Sequence, residues 1–256
     1  MTLAVGIDIG GTGIKGALVD VGSGELASAR AKVDTPSGGR PADIVKAVVG
    51  LVEGLGAEAS GAPIGVTFPA IVRHGRTMSA ANVSKEWIGL DAEALFERAL
   101  GADIRFVNDA DAAGYAEARY GAARDVAGLV ILTTLGTGIG SAFLHDGVLI
   151  PNSELGHLEI GGKDAERRAS NAVRERRKWS WKRWAKELQR FYTTVEFLFS
   201  PELFIVGGGV SKSHEEFLPL LRLGTPIVPA AQRNNAGILG AAALAVPDGA
   251  RDGAQE

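Results

Sequence analysis

The sequence predicts an α/β protein that contains two similar units. Apolar runs of strand length alternate with longer amphipathic stretches along the 256 residues, which is typical of strands alternating with helices. One motif also occurs twice, because GTGIKGALVD at 11–20 matches GTGIGSAFLH at 136–145 in its Gly-Thr-Gly-Ile start and a later alanine. Gly-Thr hairpins could simply recur, but two copies about half a chain apart favour a duplicated domain. We therefore expect two related units with the ligand between them, where binding sites prefer to lie.

The first half of the chain alternates predicted strands and helices. LAVGIDI and GIKGALVD are predicted as buried strands around a glycine turn, and LASARAKVD as a third strand. A helix is predicted over 41–55, with Pro41 in its first turn and apolar residues on one face. The other predicted elements are the strands PIGVTFP and DIRFVND, a helix over 91–100 capped by Asp91, and a helix over 111–121 ended by Gly121.

The second half begins again with a strand pair, GLVILTTLGTGIGSAFLHDG. A long helix follows, in which apolar residues from Trp181 to Leu198 repeat every three to four positions, and Ser200-Pro201 ends it. The strands ELFIVGGG and TPIVPA and the helix AGILGAAALAV come next. The tail, 248–256, is predicted to be disordered.

Composition excludes several classes of site and partner. A hydrophobic share of 46% with 22% charged residues is ordinary for a globular enzyme. The absence of cysteine excludes disulfides and thiolate-bound metals. The sequence shows no basic leader followed by an apolar segment and no apolar run of membrane-spanning length, and its net charge is -3. We therefore expect a cytoplasmic protein that binds neither membranes nor nucleic acid.

Three glycines spell a dinucleotide-binding fingerprint that the surrounding sequence does not support. Gly11, Gly13 and Gly16 give G-x-G-x-x-G after an apolar strand. A dinucleotide site needs a helix to begin at the last glycines, whereas here the chain continues as a second strand. The Walker pattern also fails, because Lys15 is followed by glycine instead of serine or threonine. A hydride-transferring dehydrogenase is therefore disfavoured.

The glycine turns instead predict phosphate binding, because a tight turn without side chains exposes N–H groups to phosphate oxygens. Two such hairpins in a duplicated chain indicate phosphoryl transfer. The turn in FIVGGG could bind phosphate or face a nucleotide base. The predicted phosphate-binding residues are Gly10, Gly11, Thr12 and Lys15 in the first hairpin, Gly136, Thr137 and Gly138 in the second, and Gly207 and Gly208 after a later strand.

Acidic residues near these turns are candidates for metal binding and catalysis. Asp8 ends the strand before the first hairpin, where it could hold Mg²⁺ through water or simply cap the turn. Asn108 and Asp109 follow another strand. Asp109 is predicted as the general base that takes the proton of a substrate hydroxyl, with Asn108 as a hydrogen-bond donor to the substrate. Asp111 could be only the N-cap of the next helix.

Two polar segments are predicted to hold a polyhydroxy substrate. Glu154, His157 and Glu159 lie between glycines in NSELGHLEIGG, and carboxylates with an imidazole suit adjacent hydroxyl groups. The alternative is a structural histidine. Asn82, in SAANVSKEW, is a further candidate whose alternative is an ordinary Asx-turn.

Five motifs in order (GIDIGGTGIKGALVD, NDADAAG, LGTGIGSA, ELGH and FIVGGG) resemble those of the ROK sugar kinases, in the actin-like ATPase superfamily. The resemblance implies two RNase H-like domains flanking a cleft, and commonly a homodimer. The expected domains are 1–108 with the helix 237–247, and 109–236. By motif match Asp109 is the catalytic base, and Asn82, Asn108, Glu154 and His157 bind the sugar.

One segment departs from the family pattern. Typical members carry a cysteine-rich zinc motif after the Gly-His pair, so no zinc is expected here. Instead, residues 163–190 form a basic insert with eleven Lys or Arg and four Asp or Glu. In its lack of cysteine and in the stretches AANVSKEWIG and WSWKRWAK, the sequence resembles a branch of the family that uses inorganic polyphosphate. The predicted polyphosphate patch is Arg167, Arg168, Arg174, Arg176, Arg177, Lys178, Lys182 and Arg183.

The resemblance implies Mg²⁺-assisted transfer of a terminal phosphoryl group from polyphosphate to the 6-hydroxyl of glucose. The counterion-release argument for polyanions supports a role for the basic insert, although a solvated helix face is the alternative. An ATP-dependent or dual-donor glucokinase or glucomannokinase is the alternative function. A non-catalytic sugar or polyanion sensor is disfavoured, because sensors of this family carry a DNA-binding segment for which the residues before the first hairpin leave no room.

Overall fold

A computed structural model describes residues 1–81 and 83–246. Asn82 and the tail, 248–256, for which binding and disorder were predicted, lie outside the described residues. The chain divides into two compact units. Unit 1 comprises Met1–Ala112 and the described residues from Asn235 onward, and unit 2 comprises Ala113–Asn234. The sequence analysis placed these boundaries at 108 and 236.

Unit 1 is built on a mixed sheet in the order β3-β2-β1-β5-β8, with β4 also paired to β2. β1, β5 and β8 are parallel, and β2 is antiparallel to β1. The elements in chain order are β1 (Leu3–Ile9), β2 (Gly13–Asp20), β3 (Glu25–Leu26), β4 (Ala31–Asp34), α1 (Pro41–Glu53), β5 (Ile64–Phe68), β6 (Val72–Arg73), β7 (Arg76–Thr77), α2 (Ala92–Leu100), β8 (Ile104–Asn108) and the start of α3 (Asp109–Tyr120), with α7 (Ala236–Ala245) near the end of the chain.

Glycines allow α7 to lie close against this sheet. A Cβ on Gly6 would collide with the Ile238 carbonyl, and one on Gly65 would collide with the Ala241 carbonyl. Small residues therefore occupy both sides of this contact, which explains the run GILGAAALA. The rest of the unit 1 core holds a cluster of aromatic rings, with centroids 4.4–6.2 Å apart, from Phe68, Trp87, Phe96 and Phe106.

Unit 2 contains a sheet in the order β11-β10-β9-β12-β13. Its two-strand antiparallel start followed by parallel strands repeats the sheet of unit 1, and the duplicated motif forms the β1–β2 turn in one unit and the β9–β10 turn in the other. The elements after α3 are β9 (Leu129–Leu135), β10 (Ile139–His145), β11 (Val148–Ile150), α4 (Glu166–Ala169), α5 (Asn171–Arg176), α6 (Trp181–Phe199), β12 (Leu203–Gly207) and β13 (Ile227–Pro229).

The long helix α6 confirms the predicted apolar periodicity. Ser180 accepts a hydrogen bond from the Arg183 N–H at 3.2 Å and caps its start, and Ser200 ends it in a left-handed conformation. Trp184 and Leu188 are buried in the unit 2 core, and Trp181 packs at its margin. These tryptophans are core residues, as the sequence predicted.

Glu117 is a buried carboxylate that the sequence analysis did not use. It is fully buried and accepts hydrogen bonds from the backbone N–H groups of Ala122, Ala231 and Gln232 at 2.7, 3.1 and 2.7 Å. The Gln232 side chain donates back to the Tyr120 carbonyl at 2.6 Å. The C-terminal part of α3 is therefore fixed to the segment that follows β13.

Two predicted elements differ from the observed ones. LASARAKVD is two short strands, because the Ala27 and Ser28 N–H groups both turn back to the Leu18 carbonyl and interrupt the ladder. The helix predicted over 111–121 begins at Asp109, because Asn108 caps it. Within residues 1–81 and 83–246, no helix has the length and apolarity needed to cross a bilayer.

Candidate active site

The first hairpin loop, Gly10–Thr12, lies between β1 and β2 in unit 1. Its closing hydrogen bond runs from the Gly10 N–H to the Gly13 carbonyl at 3.0 Å. Thr35, just after β4, donates its hydroxyl to the Gly10 carbonyl at 2.6 Å and braces the loop. Gly11 and Thr12 form its exposed tip. The loop thus presents backbone and a hydroxyl to solvent, which is the arrangement predicted for phosphate binding.

Asp8 lies at the base of this loop and is the centre of a polar network. Its carboxylate accepts a hydrogen bond from Lys15 Nζ at 2.9 Å and from the Thr67 hydroxyl at 3.2 Å. Gly237, in the first turn of α7, faces the same carboxylate, and a Cβ there would lie 3.0 Å from Asp8 Cγ. Lys15 therefore neutralises Asp8 before any phosphate is bound, which the sequence analysis did not foresee.

The contacts of Asp8 limit how it could hold the predicted Mg²⁺. Asp8 offers carboxylate oxygens, the ligand type that Mg²⁺ prefers. Because Lys15 already holds one oxygen and Thr67 the other, the geometry suits a hydrated ion held through water better than direct ligation. The residues present therefore fit a water-mediated site that also needs the phosphates of a substrate.

Asn108 and Asp109 lie where β8 passes into α3. Asn108 Oδ1 accepts from the N–H groups of Ala110 and Asp111 at 2.8 and 3.0 Å, and its Nδ2 donates to the Ala70 carbonyl at 3.0 Å. Asn108, and not Asp111, is therefore the N-cap. One amide hydrogen of Asn108 remains for the predicted substrate contact.

Asp109 is the first residue of α3. Its Oδ1 accepts from the Ala110 N–H at 2.8 Å. The positive end of the helix dipole stabilises a negative charge at this position. A carboxylate at a capped helix start is a suitable general base, because its backbone position is held by the cap that Asn108 forms.

Unit 2 brings its own two glycine turns together. The second hairpin loop, Gly136–Gly138, is closed by a hydrogen bond from the Gly136 N–H to the Gly138 carbonyl at 3.0 Å. β9 and β12 are parallel, so Gly207, the last residue of β12, and Gly208, which follows it, lie at the same edge of the sheet as the second loop. Gly208 has a φ of 80°, and a Cβ on it would lie 2.7 Å from the Leu135 carbonyl oxygen, so only glycine fits there. The five predicted phosphate-binding residues of this unit are therefore neighbours.

The segment that contains Glu154 and His157 is held against β10. The Ser141 hydroxyl donates to the Ser153 carbonyl at 2.9 Å and accepts from the Leu155 N–H at 3.0 Å. A Cβ on Gly156 would collide with the Ile139 carbonyl, so the glycine of the ELGH motif permits a close approach. These contacts place the two predicted sugar-binding side chains on one short turn, Leu155–His157 and its N-cap.

Two acids from the basic insert complete this cluster and were missed by the sequence analysis. Asp164 lies 3.4 Å from His157 Nδ1, and Glu166 accepts from the Ile139 N–H at 3.3 Å. His157, Asp164 and Glu166 each have a nitrogen or carboxylate oxygen that could bind a metal ion, and these atoms all lie within 4.8 Å of one another. No local sequence pattern signals these contacts, because they join residues 7 and 27 positions apart.

Electrostatics single out Glu154 in this cluster. Burial raises the pKa of its carboxyl above the ordinary value, the nearby His157 opposes this, and Glu166 raises the pKa further. A carboxyl in this environment can accept or donate a hydrogen bond to a hydroxyl group. Glu159 is exposed, its backbone forms an isolated bridge with Asp164, and its side chain has no hydrogen bond or ion pair in the described part of the chain.

The basic insert is attached to the second loop. The Ala172 N–H at the start of α5 donates to the Gly136 carbonyl at 3.0 Å, and Glu166 of α4 contacts the other side of the loop. The insert therefore lies beside the glycines that were predicted to bind phosphate.

Most cations of the predicted patch have partners within the protein. Arg174 stacks 3.9 Å from the centre of the Trp181 ring, and Arg177 and Arg183 both lie over Trp179, at 5.0 and 4.6 Å. Arg167 pairs with Asp164, Arg183 pairs with Glu187, and Arg168 donates to the Gly161 carbonyl. The cations without a hydrogen bond, ion pair or ring contact in the described residues are Arg176, Lys178 and Lys182.

Comparisons with known proteins show which family the chain resembles. The ROK family profile matches residues 4–174. A polyphosphate glucokinase of Mycobacterium tuberculosis (strain CDC 1551 / Oshkosh) is 48% identical over 244 residues, covering 95% of this chain and 91% of that protein.

Solved structures show the same likeness. The inorganic polyphosphate/ATP-glucomannokinase of Arthrobacter sp. strain KM has a TM-score of 0.92 at 55% identity, covering 96% of this chain and 98% of that one. A ROK family glucokinase of Streptomyces griseus, in complex with glucose and AMPPNP, has a TM-score of 0.80 at 24% identity, covering 94% and 98%, which shows likeness of fold. The predicted fold class, α/β with RNase H-like units of the actin-like ATPase type, is confirmed. The chain therefore belongs to the ROK family.

Proposed function

We propose that this protein transfers the terminal phosphoryl group of inorganic polyphosphate to the 6-hydroxyl of glucose. One observation carries the proposal: the chain resembles, over nearly its whole length, proteins named polyphosphate glucokinase and inorganic polyphosphate/ATP-glucomannokinase. The residues described above supply groups for each part of this reaction.

Asp109 acts as the general base in the proposed reaction. Its carboxylate accepts the proton of the 6-hydroxyl while that oxygen attacks the terminal phosphorus. The bond from this phosphorus to the bridging oxygen breaks, and the shortened polyphosphate leaves with the electron pair. The Asn108 cap holds the backbone at the start of α3, and the positive end of this helix favours a negative charge there.

The sugar is held by side chains that offer both donors and acceptors. Glu154, His157 and Glu166 form the cluster in unit 2 that suits adjacent hydroxyl groups. Asn108 contributes its remaining amide hydrogen, and Asn82 stays a predicted contact. Glu159 is a weaker candidate, because its exposed side chain has no hydrogen bond or ion pair in the described residues to hold it in place.

The donor phosphates bind the two glycine loops and neighbouring cations. Backbone N–H groups of Gly11 and Thr12 in the first loop and of Thr137 and Gly138 in the second, with Lys15, stabilise the negative charge that moves to the leaving phosphate. Asp8 would hold hydrated Mg²⁺, which neutralises phosphate charge when it is bound. The basic insert extends this positive surface beside the second loop. A homodimer and a cytoplasmic location remain parts of the same proposal.

The decisive experiment supplies glucose, Mg²⁺ and either polyphosphate or ATP to the purified protein and measures glucose phosphate. We expect product with polyphosphate, and no product with either donor would refute the proposal. Asp109→Asn should lower turnover by about 10²–10⁴-fold while glucose still binds. Asp103→Asn, a matched change at an exposed residue of the same unit, should have no effect.

A second candidate function is a dual-donor kinase that also accepts mannose. It is favoured by the 55% identity to a protein named polyphosphate/ATP-glucomannokinase. Measuring kcat/KM for each donor with each sugar separates the two. Comparable values for ATP and polyphosphate, or for mannose and glucose, would favour the second function.

A further inference from the structure

Lys32, on β4, belongs to a row of polar residues that crosses four strands of unit 1. Thr67 pairs with Asp8 in register, Asp8 pairs with Lys15, and Lys15 pairs with Lys32. Residues directly opposite one another in a sheet point to the same face. The row therefore places Lys32 on the face that carries the Asp8 network.

Within this row, Lys32 is the charge that has no counterion. Asp8 and Lys15 neutralise each other through their 2.9 Å contact. Lys32 is exposed, and no acid among residues 1–81 and 83–246 forms a salt bridge with it. Two lysines directly opposite each other repel, and this repulsion is relieved when an anion binds beside them.

The ammonium group of Lys32 also lies beside the first hairpin loop. A Cβ built on Gly13 would be 3.0 Å from Lys32 Cε and 3.9 Å from Nζ. Gly13 is the residue whose carbonyl closes the loop by accepting from the Gly10 N–H. A phosphate held by this loop would therefore be within reach of the flexible Lys32 side chain.

We propose that Lys32 binds the polyphosphate donor, at a phosphoryl group adjacent to the Gly10–Thr12 loop. The inference rests on the proposed function and adds a donor contact on unit 1. Polyphosphate carries about one negative charge per phosphate and no base, so a cation is the group that can recognise it. An ammonium with three N–H donors suits phosphate oxygens approached from several directions.

The test compares Lys32→Gln with Lys32→Arg and with Lys46→Gln. Lys46 is an exposed lysine of α1 without a salt bridge in the described residues, so its replacement makes the same charge change away from the loop. Lys32→Gln should raise the polyphosphate KM about 5- to 10-fold and leave the glucose KM unchanged. The slope of log KM against log salt should fall by about 0.7, the value for one lost contact to a flexible polyanion. Lys32→Arg should recover most of the affinity.

Equal donor KM and salt slope in Lys32→Gln and Lys46→Gln would overturn the inference while leaving the kinase proposal intact. A fall in glucose affinity and melting temperature with unchanged donor KM would also overturn it, since Lys32 would then only support the fold. If the native protein forms no product, the kinase proposal fails. Equilibrium binding of polyphosphate of defined length would then still test whether Lys32 contacts the polymer. Equal affinity of the native protein and Lys32→Gln for that polymer would refute the contact.

Discussion

Replacing Asn108 with alanine removes three hydrogen bonds that hold the start of α3. Two of them cap the helix, and losing an N-cap side chain costs about 0.5–2 kcal/mol. The third satisfies the buried Ala70 carbonyl, and leaving such a group without a donor costs about 1–3 kcal/mol. We therefore expect Asn108→Ala to lower the free energy of unfolding by about 2–4 kcal/mol, or the melting temperature by about 5–15 °C.

Asn108→Asp separates the contribution of the helix cap from that of the hydrogen bond to the Ala70 carbonyl. The carboxylate keeps an acceptor for the Ala110 and Asp111 N–H groups, while the donor to Ala70 is lost. Its destabilisation should therefore be about 1–3 kcal/mol. Urea unfolding gives these free energies, and glucose phosphorylation at a temperature where both variants stay folded gives the effect on Asp109. A free energy of unfolding for Asn108→Ala within about 0.5 kcal/mol of that of the native protein would refute the assigned cap.

Three further predictions follow from the other buried and charged groups. Glu117→Ala should lower the free energy of unfolding in urea by about 3–5 kcal/mol, since three backbone N–H groups lose their acceptor and each buried donor left unsatisfied costs about 1–3 kcal/mol, and a loss below about 1 kcal/mol would contradict this. Because the pKa of Glu154 is raised, its carboxylate takes up a proton at a higher pH than an ordinary glutamate as the solution is acidified. The glucose Kd should accordingly start to rise at that higher pH. If the Kd of Glu154→Gln still rises at low pH in the same way, another group causes the rise. Replacing Arg176, Lys178 and Lys182 together by glutamine should weaken polyphosphate binding and flatten its salt dependence, without changing the melting temperature; an unchanged salt slope would mean that these residues are only a solvated face.

Elements with strong local signals were predicted well from the sequence. The β1–β2 and β9–β10 hairpins follow from apolar runs around glycine turns, and α6 from its periodicity and its Ser200-Pro201 end. The start of α3 was misplaced, because the preference for Asp111 as a cap was local, whereas Asn108 gains a third bond from the distant Ala70 carbonyl.

The candidate site likewise contains residues with a local sequence signal and residues whose contacts depend on distant parts of the chain. Asp8, Asp109, Glu154 and His157 could be proposed from the sequence because each lies beside a glycine turn or a strand end, where the chain exposes functional groups. Glu166 was counted only as one acid of a basic segment, and its contact with the Ile139 N–H depends on a pairing 27 residues away. No local pattern carries that information.

The sequence alone determined which groups this protein offers: two glycine hairpins, a carboxylate after a strand that is proposed as the general base, and a basic insert in place of a cysteine motif. Tertiary structure decided which of those groups have their charge already satisfied. Lys15 is neutralised by Asp8, most insert arginines are held by tryptophans or acids, and Lys32 keeps an uncompensated charge beside the first loop. The reason is physical, because charge is compensated by neighbours in space, and strand register sets those neighbours.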